Sequence, residues 1–251
     1  MTALTLRILA CVFMLCDHVG ELVRNPMLML VMRGVGRLAF PIFAFLIYNG
    51  FVHTSSRKRY ALRLALFALI SQIPFSLFTN RGLLEKGNVF FALLLALLCL
   101  WAVDVMVHSK RLRPWCWVLP FVLVVGYTFG GVSIDYGVKG VLLTLVFYCF
   151  ERKSISGKVL TVLGTLVAMN YTYGINLAKA AIKFALGRPW VLPTFSAWET
   201  LSLVNVLALV FIFLYNGKRG GKGKYPKLTQ YGFYLFYPVH LLALWAVRMC
   251  L

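Results

Sequence analysis

The sequence predicts an all-α polytopic integral membrane bundle, and three observations carry that prediction. Of 251 residues, 61% are hydrophobic and 13% charged, against about 45–50% and 25% in an ordinary soluble domain. The mean hydropathy is +0.83. The apolar residues gather in runs near the roughly 20 residues that a helix needs to cross a bilayer, and the bases gather between the runs. No polar stretch is long enough for a separate soluble unit, so residues 1–251 are expected to form a single transmembrane domain.

Spans are read near 4–22, 27–51, 61–78, 88–107, 115–131, 137–150, 158–175, 200–215 and 229–248, the sixth and eighth being short. Basic loops follow every second span: Arg57, Lys58 and Arg59; Lys110, Arg111 and Arg113; Arg152, Lys153 and Lys158; Lys218, Arg219, Lys222, Lys224 and Lys227. Short loops rich in Lys and Arg stay in the cytoplasm. The alternate loops carry fewer bases or mix signs, as in Arg24, in Arg81 with Glu85 and Lys86, and in Asp135 with Lys139. About nine transmembrane helices with a cytoplasmic N-terminus follow, in a bacterial inner (cytoplasmic) membrane. The first run lacks the charged start and small-residue cleavage site of a signal peptide, so it is expected to be retained. Residues 176–199 resist the pattern by placing Lys179, Lys183 and Arg188 outside, with Trp190 and Trp198 nearby. An interfacial amphipathic helix before a Pro-broken loop is the expected form, with a re-entrant segment as the alternative. Residues 217–227 read as a flexible linker. The paired, broken halves of an inverted-repeat transporter are not evident.

The net charge of +19 would suit nucleic acid, but its distribution among short inter-span loops excludes that partner and points to the lipid bilayer. The six cysteines form no CxxC and fall mostly within apolar runs, so they read as small buried hydrophobes. The four histidines lie in different segments and offer no metal site.

The chemistry concentrates in the first span, LTLRILACVFMLCDHVG. Ionisable groups inside a span are costly to insert and mark functional sites. Arg7 and His18 are separated by about 1100° of helical rotation, so they share a face about 16 Å apart along the axis. Cys11, Met14 and Glu21 complete that stripe, and Asp17 lies to its side. In the second span Arg33 and Arg37 share a face. Asp17 and Arg33 could meet at equal depth, which would spare a buried carboxylate an uncompensated cost of several kcal/mol. His18 would then be a base near charges of both signs, suited to taking a proton from a hydroxyl or amine; the alternative is a histidine that simply bonds to another helix.

Other residues carry two readings each. His240, in FYPVHL, sits beside Tyr237 and Pro238; it satisfies carbonyls freed at a kink or faces the site. Asp135, before Tyr136 in IDYGVKG, caps the sixth span or serves as an acid toward the acceptor. Gln72, beside Ser71, lines a polar path or bonds across helices. Asp104 is expected to pair with a base. Arg57, Lys58, Arg59 and Arg63 are topogenic charge in contact with anionic lipid, or a clamp for the phosphates of a cytoplasmic donor such as coenzyme A. Arg63 already lies inside the third span.

The segments LRILACVFMLCDHVG, GVGRLAFPIFAFLIYNGFVHT, RYALRLALFALISQIPF, DYGVKGVL and YLFYPVHL occur in the order of the TraX family, which the chain resembles over nearly its whole length. TraX proteins are conjugative pilin N-acetyltransferase-like membrane proteins. The spacing of Arg7 and His18 also resembles the membrane-bound acyltransferase family 3 superfamily, whereas FPIFAFLIYNGF departs from its second-span pattern in having Asn49 before Gly50. The resemblance implies transfer of an acetyl group from cytoplasmic acetyl-CoA to an acceptor at or across the membrane: a peptide amine, a glycan or a lipid. His18 would be the general base or a transient acyl carrier, with Asp17 and Arg37 completing the catalytic set. Arg7, Arg33, Arg57, Lys58 and Arg63 would hold the co-substrate. Gln72, Asp135, Tyr136 and His240 would meet the acceptor. A transporter or flippase, or a non-enzymatic assembly factor for surface fibres, are the competing functions.

Overall fold

A computed structural model describes residues 1–131, 133–150, 154–189, 191–194, 201, 203–220 and 226–250. Arg152, Lys153, Trp190, Trp198, Lys222 and Lys224 lie outside the described residues, as does the side chain of Lys227. In chain order the α-helices are α1 (Ala3–Gly20), α2 (Pro26–Gly36), α3 (Ala39–His53), α4 (Arg57–Thr79), α5 (Val89–His108), α6 (Val118–Phe129), α7 (Gly137–Cys149), α8 (Ile155–Met169), α9 (Tyr171–Ala185), α10 (Ala208–Phe213) and α11 (Pro226–Cys250). Short 3-10 turns precede α6 and α10.

The helix starts are written in the sequence as side-chain caps. Thr2, Asn25, Ser56, Asn88 and Ser154 each accept from a backbone N–H in the first turn that follows, a contact worth about 1 kcal/mol. Asn80 ends α4 in the left-handed conformation. Proline explains a local interruption. The span expected over 27–51 is one segment, Pro26–His53, within which the helix lapses only at Arg37 and Leu38, both still in the right-handed helical region. Pro41 has no N–H to offer the carbonyl of Arg37, and its ring crowds that carbonyl. Pro74 and Pro238, by contrast, lie inside continuous helices.

α3 stands at the centre, packed against α1, α5, α7 and α10. α1 also packs on α2 and α11, α11 on α4, α4 on α5, and α8 on α7. Among the described residues, Phe40, Phe45, Phe78 and Phe147 are the largest wholly buried side chains. The outward face of α4 keeps Leu62, Leu66, Leu69 and Ile73 exposed, as expected of a helix that meets lipid.

Among the described residues, five segments are long and apolar enough to cross a membrane: Ala3–Gly20, Pro26–His53, Arg57–Thr79, Val89–His108 and Tyr231–Cys250. Four further apolar helices are shorter: Arg113–Tyr127, Gly137–Cys149, Ile155–Met169 and Leu203–Phe213. α7, with 13 residues, extends about 20 Å, short of a hydrocarbon core of about 30 Å. The run expected over 158–175 is broken at Asn170, whose amide donates to the Leu166 carbonyl at 2.9 Å. The helix expected within 176–199 therefore begins earlier, as α9, and none of its residues is buried.

The bundle has two ends. At the first, rich in Arg, Ala3 N donates to Lys218 O at 2.9 Å and Arg57 meets Asp104 at 2.9 Å. That pair supplies the base expected beside Asp104. At the opposite end Arg248 donates to the Phe78 carbonyl at 2.9 Å. There, too, Gly87 bridges to the segment before α7, donating to Ser133 O at 2.9 Å and accepting from Asp135 N at 2.8 Å.

Candidate active site

The charges of α1 and α2 meet as their spacing suggests. Arg33 Nε lies 3.7 Å from Asp17 Oδ1, and Arg33 Nη1 lies 2.5 Å from Glu21 Oε1. Asp17 and Arg33 are both largely buried, so removing one partner would cost about 3–5 kcal/mol. Close approach of the two helices depends on Gly36: a Cβ there would stand 2.3 Å from Asp17 Cβ and 2.6 Å from its Cα. One turn on, Arg37 Nη1 donates to Tyr136 Oη at 3.1 Å.

Tyr136 is held with unusual firmness. It precedes α7 at φ 59°, a left-handed backbone that a bulky side chain rarely adopts. Its ring stacks on Phe40 at 3.8 Å between centroids and 9° between planes. Such strain persists where neighbours over-determine it, and it clusters at functional sites. Asp135 does not cap α7, contrary to the capping reading; Tyr136 occupies the cap position. The Asp135 carboxylate instead pairs with Lys86 Nζ at 2.7 Å.

His18 meets a second histidine. Its Nδ1 is 2.8 Å from Nε2 of His240, and Nδ1 of His240 is 2.7 Å from the Phe236 carbonyl oxygen. The carbonyl that His240 meets is that of Phe236, four residues before it, and not that of Tyr234, for which Pro238 has no N–H; the ring also reaches the first helix. Phe78 presents its edge to His18 at 5.4 Å, and Phe236 stacks on His240 at 4.8 Å.

Two cavities lie near this pair: His18 lines the smaller, and Tyr237, which packs on both rings, lines both. A cavity of about 530 Å³ opens among Ser55, Arg59, Gly217 and Arg219 at the Arg-rich end. Arg7, His53 and Arg63 line it too, and it deepens to Phe90, Leu93 and Tyr237. Its mouth is cationic and its floor is aromatic. A second cavity, of about 30 Å³, is lined by Asp17, His18, Gly36, Asp135, Tyr136 and their neighbours. Met14, Phe43, Val89 and Tyr237 line both cavities and form a common wall. The α1 stripe accounts for this: Arg7 lines the large cavity, Met14 both, and His18 the small one.

Not every residue singled out from the sequence is brought here. Arg7 and Arg63 line the large cavity, whereas Arg57 and Lys58 do not. Arg57 lies with its guanidinium carbon 4.1 Å from the Phe51 ring centroid and is bound to Asp104. Arg33 lies at the other end with Glu21 and Asp17. Gln72 donates to the carbonyls of Leu83 and Lys86 at 2.7 and 2.8 Å and accepts from Asn88 N and Nδ2. Its amide anchors the segment between α4 and α5, and so uses all the hydrogen bonds one amide ordinarily makes.

Some lining residues escaped the sequence reading. Tyr60, Tyr234 and Phe43 line the large cavity, but in apolar runs aromatic residues look like ordinary packing. Gly50 was a readable signal of close approach: a Cβ there would lie 2.8 Å from Tyr60 Oη. Arg219 looked like one base among many in a linker.

Fold and site together define an all-helical membrane protein with a His–His pair beside a small cavity that shares a wall with a larger one. The family model described as "TraX protein" matches residues 3–248, and the chain belongs to the TraX family. It is similar to "Probable fimbrial assembly protein FimC, serogroup H1" of Dichelobacter nodosus, with 31% identity over 263 residues, covering 100% of this chain and 97% of that protein. No solved structure matches.

Proposed function

We propose that the protein is a membrane acetyltransferase that moves the acetyl group of acetyl-CoA, admitted at the Arg-rich end, to an acceptor that reaches His18 from the opposite end. The observation that carries this reading is the common wall of the two cavities, with His18 just beyond it. Arg7, Arg59, Arg63 and Arg219 suit the phosphates of the donor. The aromatic floor suits its uncharged thioester arm. The 30 Å³ cavity suits a group as small as acetyl. His18 takes the proton of the attacking amine or hydroxyl, and Arg37 is placed near enough to the small cavity, through Tyr136, to balance developing negative charge.

The fimbrial name of the relative and the family itself support a role linked to pili. The acceptor favoured on that ground is the N-terminal amine of a pilin-like subunit. Purified protein in lipid nanodiscs, given labelled acetyl-CoA and a panel of peptide, glycan and lipid acceptors, tests the reading. His18→Ala should lower label transfer about 10²- to 10⁴-fold. Equal transfer by both proteins would remove His18 from the mechanism. The same fimbrial name favours a second reading, a non-enzymatic assembly factor. It predicts that His18→Ala leaves fibre assembly intact.

A further inference from the structure

We infer that His240 is a positioning residue that fixes the tautomer of His18, leaving Nε2 of His18 as the nitrogen that receives the acceptor's proton. The inference rests on the transferase reading and adds to it the source of the base's orientation. It begins at a carbonyl. The Phe236 oxygen can only accept, so the contact at 2.7 Å requires a proton on Nδ1 of His240. In a neutral ring the other nitrogen then holds the lone pair. Nε2 of His240 therefore accepts, and Nδ1 of His18, 2.8 Å away, donates. The proton of His18 is thereby placed on Nδ1, and Nε2 is left bare.

Ring geometry agrees with that direction. The two imidazoles lie 5.0 Å apart with 29° between their planes, so an N–H in one plane can point toward the lone pair of the other. Phe78, Phe236 and Tyr237 surround the pair with aromatic carbon. His240 is itself 6% exposed. One turn of α11 thus carries both the orienting imidazole and the carbonyl that orients it.

In the reaction the acceptor's nitrogen or oxygen attacks the thioester carbonyl carbon. A bond forms from the acceptor to carbon, and the carbon–sulfur bond breaks. The acceptor's proton passes to Nε2 of His18 and then to the departing sulfur, giving the free thiol. The Nδ1 proton of His18 stays on His18, donated to His240 Nε2, throughout. Without that acceptor, His18 would exchange tautomers and present a protonated Nε2 for part of the time.

Nitrogen NMR of full-length protein in lipid nanodiscs, with ¹⁵N-labelled histidine rings, tests this without reference to activity. His53→Gln and His108→Gln remove the two spectator signals. The wild type should show Nδ1 protonated and Nε2 bare in both His18 and His240. His240→Phe should mix the tautomers of His18, and His240→Gln, whose carbonyl oxygen can accept, should restore the single form. In transfer assays His240→Phe should lower kcat on the order of 10²-fold with KM for acetyl-CoA unchanged, and His240→Gln should recover most of the loss. A wild-type His18 protonated on Nε2 would overturn the inference. So would a His18 signal indifferent to His240→Phe. Should that variant not fold, the wild-type spectrum decides alone. A wild type with the expected tautomers but no acetyl transfer supports the pairing and overturns the transferase reading instead.

Discussion

A methyl group at position 36 would stand 2.6 Å from the Cα of Asp17, a backbone atom that cannot swing away. Gly36→Ala should therefore force α1 and α2 apart and loosen the contact of Asp17 with Arg33. The expected cost is about 1–3 kcal/mol, read as a lower unfolding midpoint in lipid and as reduced acetyl transfer. Gly126→Ala, in open space on α6, should change neither. An unshifted midpoint for Gly36→Ala would contradict the close approach. The sequence exposed the ion pair, because counting residues from span ends puts Asp17 and Arg33 at one depth. It did not expose Gly36, which has no charge to be missed. Nor did it join His18 to His240, because depth counting assumes helices of equal reach. His18 lies two residues before the end of α1, while His240 lies ten before the end of α11.

Among the elements, α4 shows how a boundary hides a site. The sequence reading starts its span at 61, which leaves residues 57–59 in a loop. The helix begins at Arg57. Arg59 and Arg63 are then one turn apart on a shared face, and that face lines the large cavity. Arg57 and Lys58 point elsewhere. Arg63→Glu should raise KM for acetyl-CoA about 10- to 100-fold, the loss of one charge-assisted contact of about 1.5–3 kcal/mol, with a smaller effect on kcat. Lys58→Glu should leave both constants alone. Steady-state kinetics on the two variants checks this, and equal effects would undo the distinction drawn from the cavity lining. The interruption between α2 and α3 was equally legible in principle, since Pro41 stands four residues after Arg37.

For the whole molecule, the alternation of basic and non-basic loops was legible, and the lengths of the spans were not. Hydropathy reports apolar surroundings and does not distinguish lipid from protein. α7 has an apolar sequence because Val138, Val141, Leu143, Leu145 and Phe147 are buried against its neighbours, so it reads as a span at 13 residues. The Arg-rich end facing the cytoplasm remains a proposal and has a direct check. In a cysteine-free background, an impermeant thiol reagent applied to intact cells should label Arg81→Cys and spare Lys58→Cys, since these exposed positions lie at opposite ends. The reverse pattern would invert the donor's side. Bound coenzyme A tests the central claim most directly, through a cryo-EM map of the full chain in lipid nanodiscs. Its phosphates should lie among Arg7, Arg59, Arg63 and Arg219, with the sulfur beside Tyr237 and turned toward His18. Phosphates at the opposite end, or a thiol directed away from His18, would contradict transfer through the common wall.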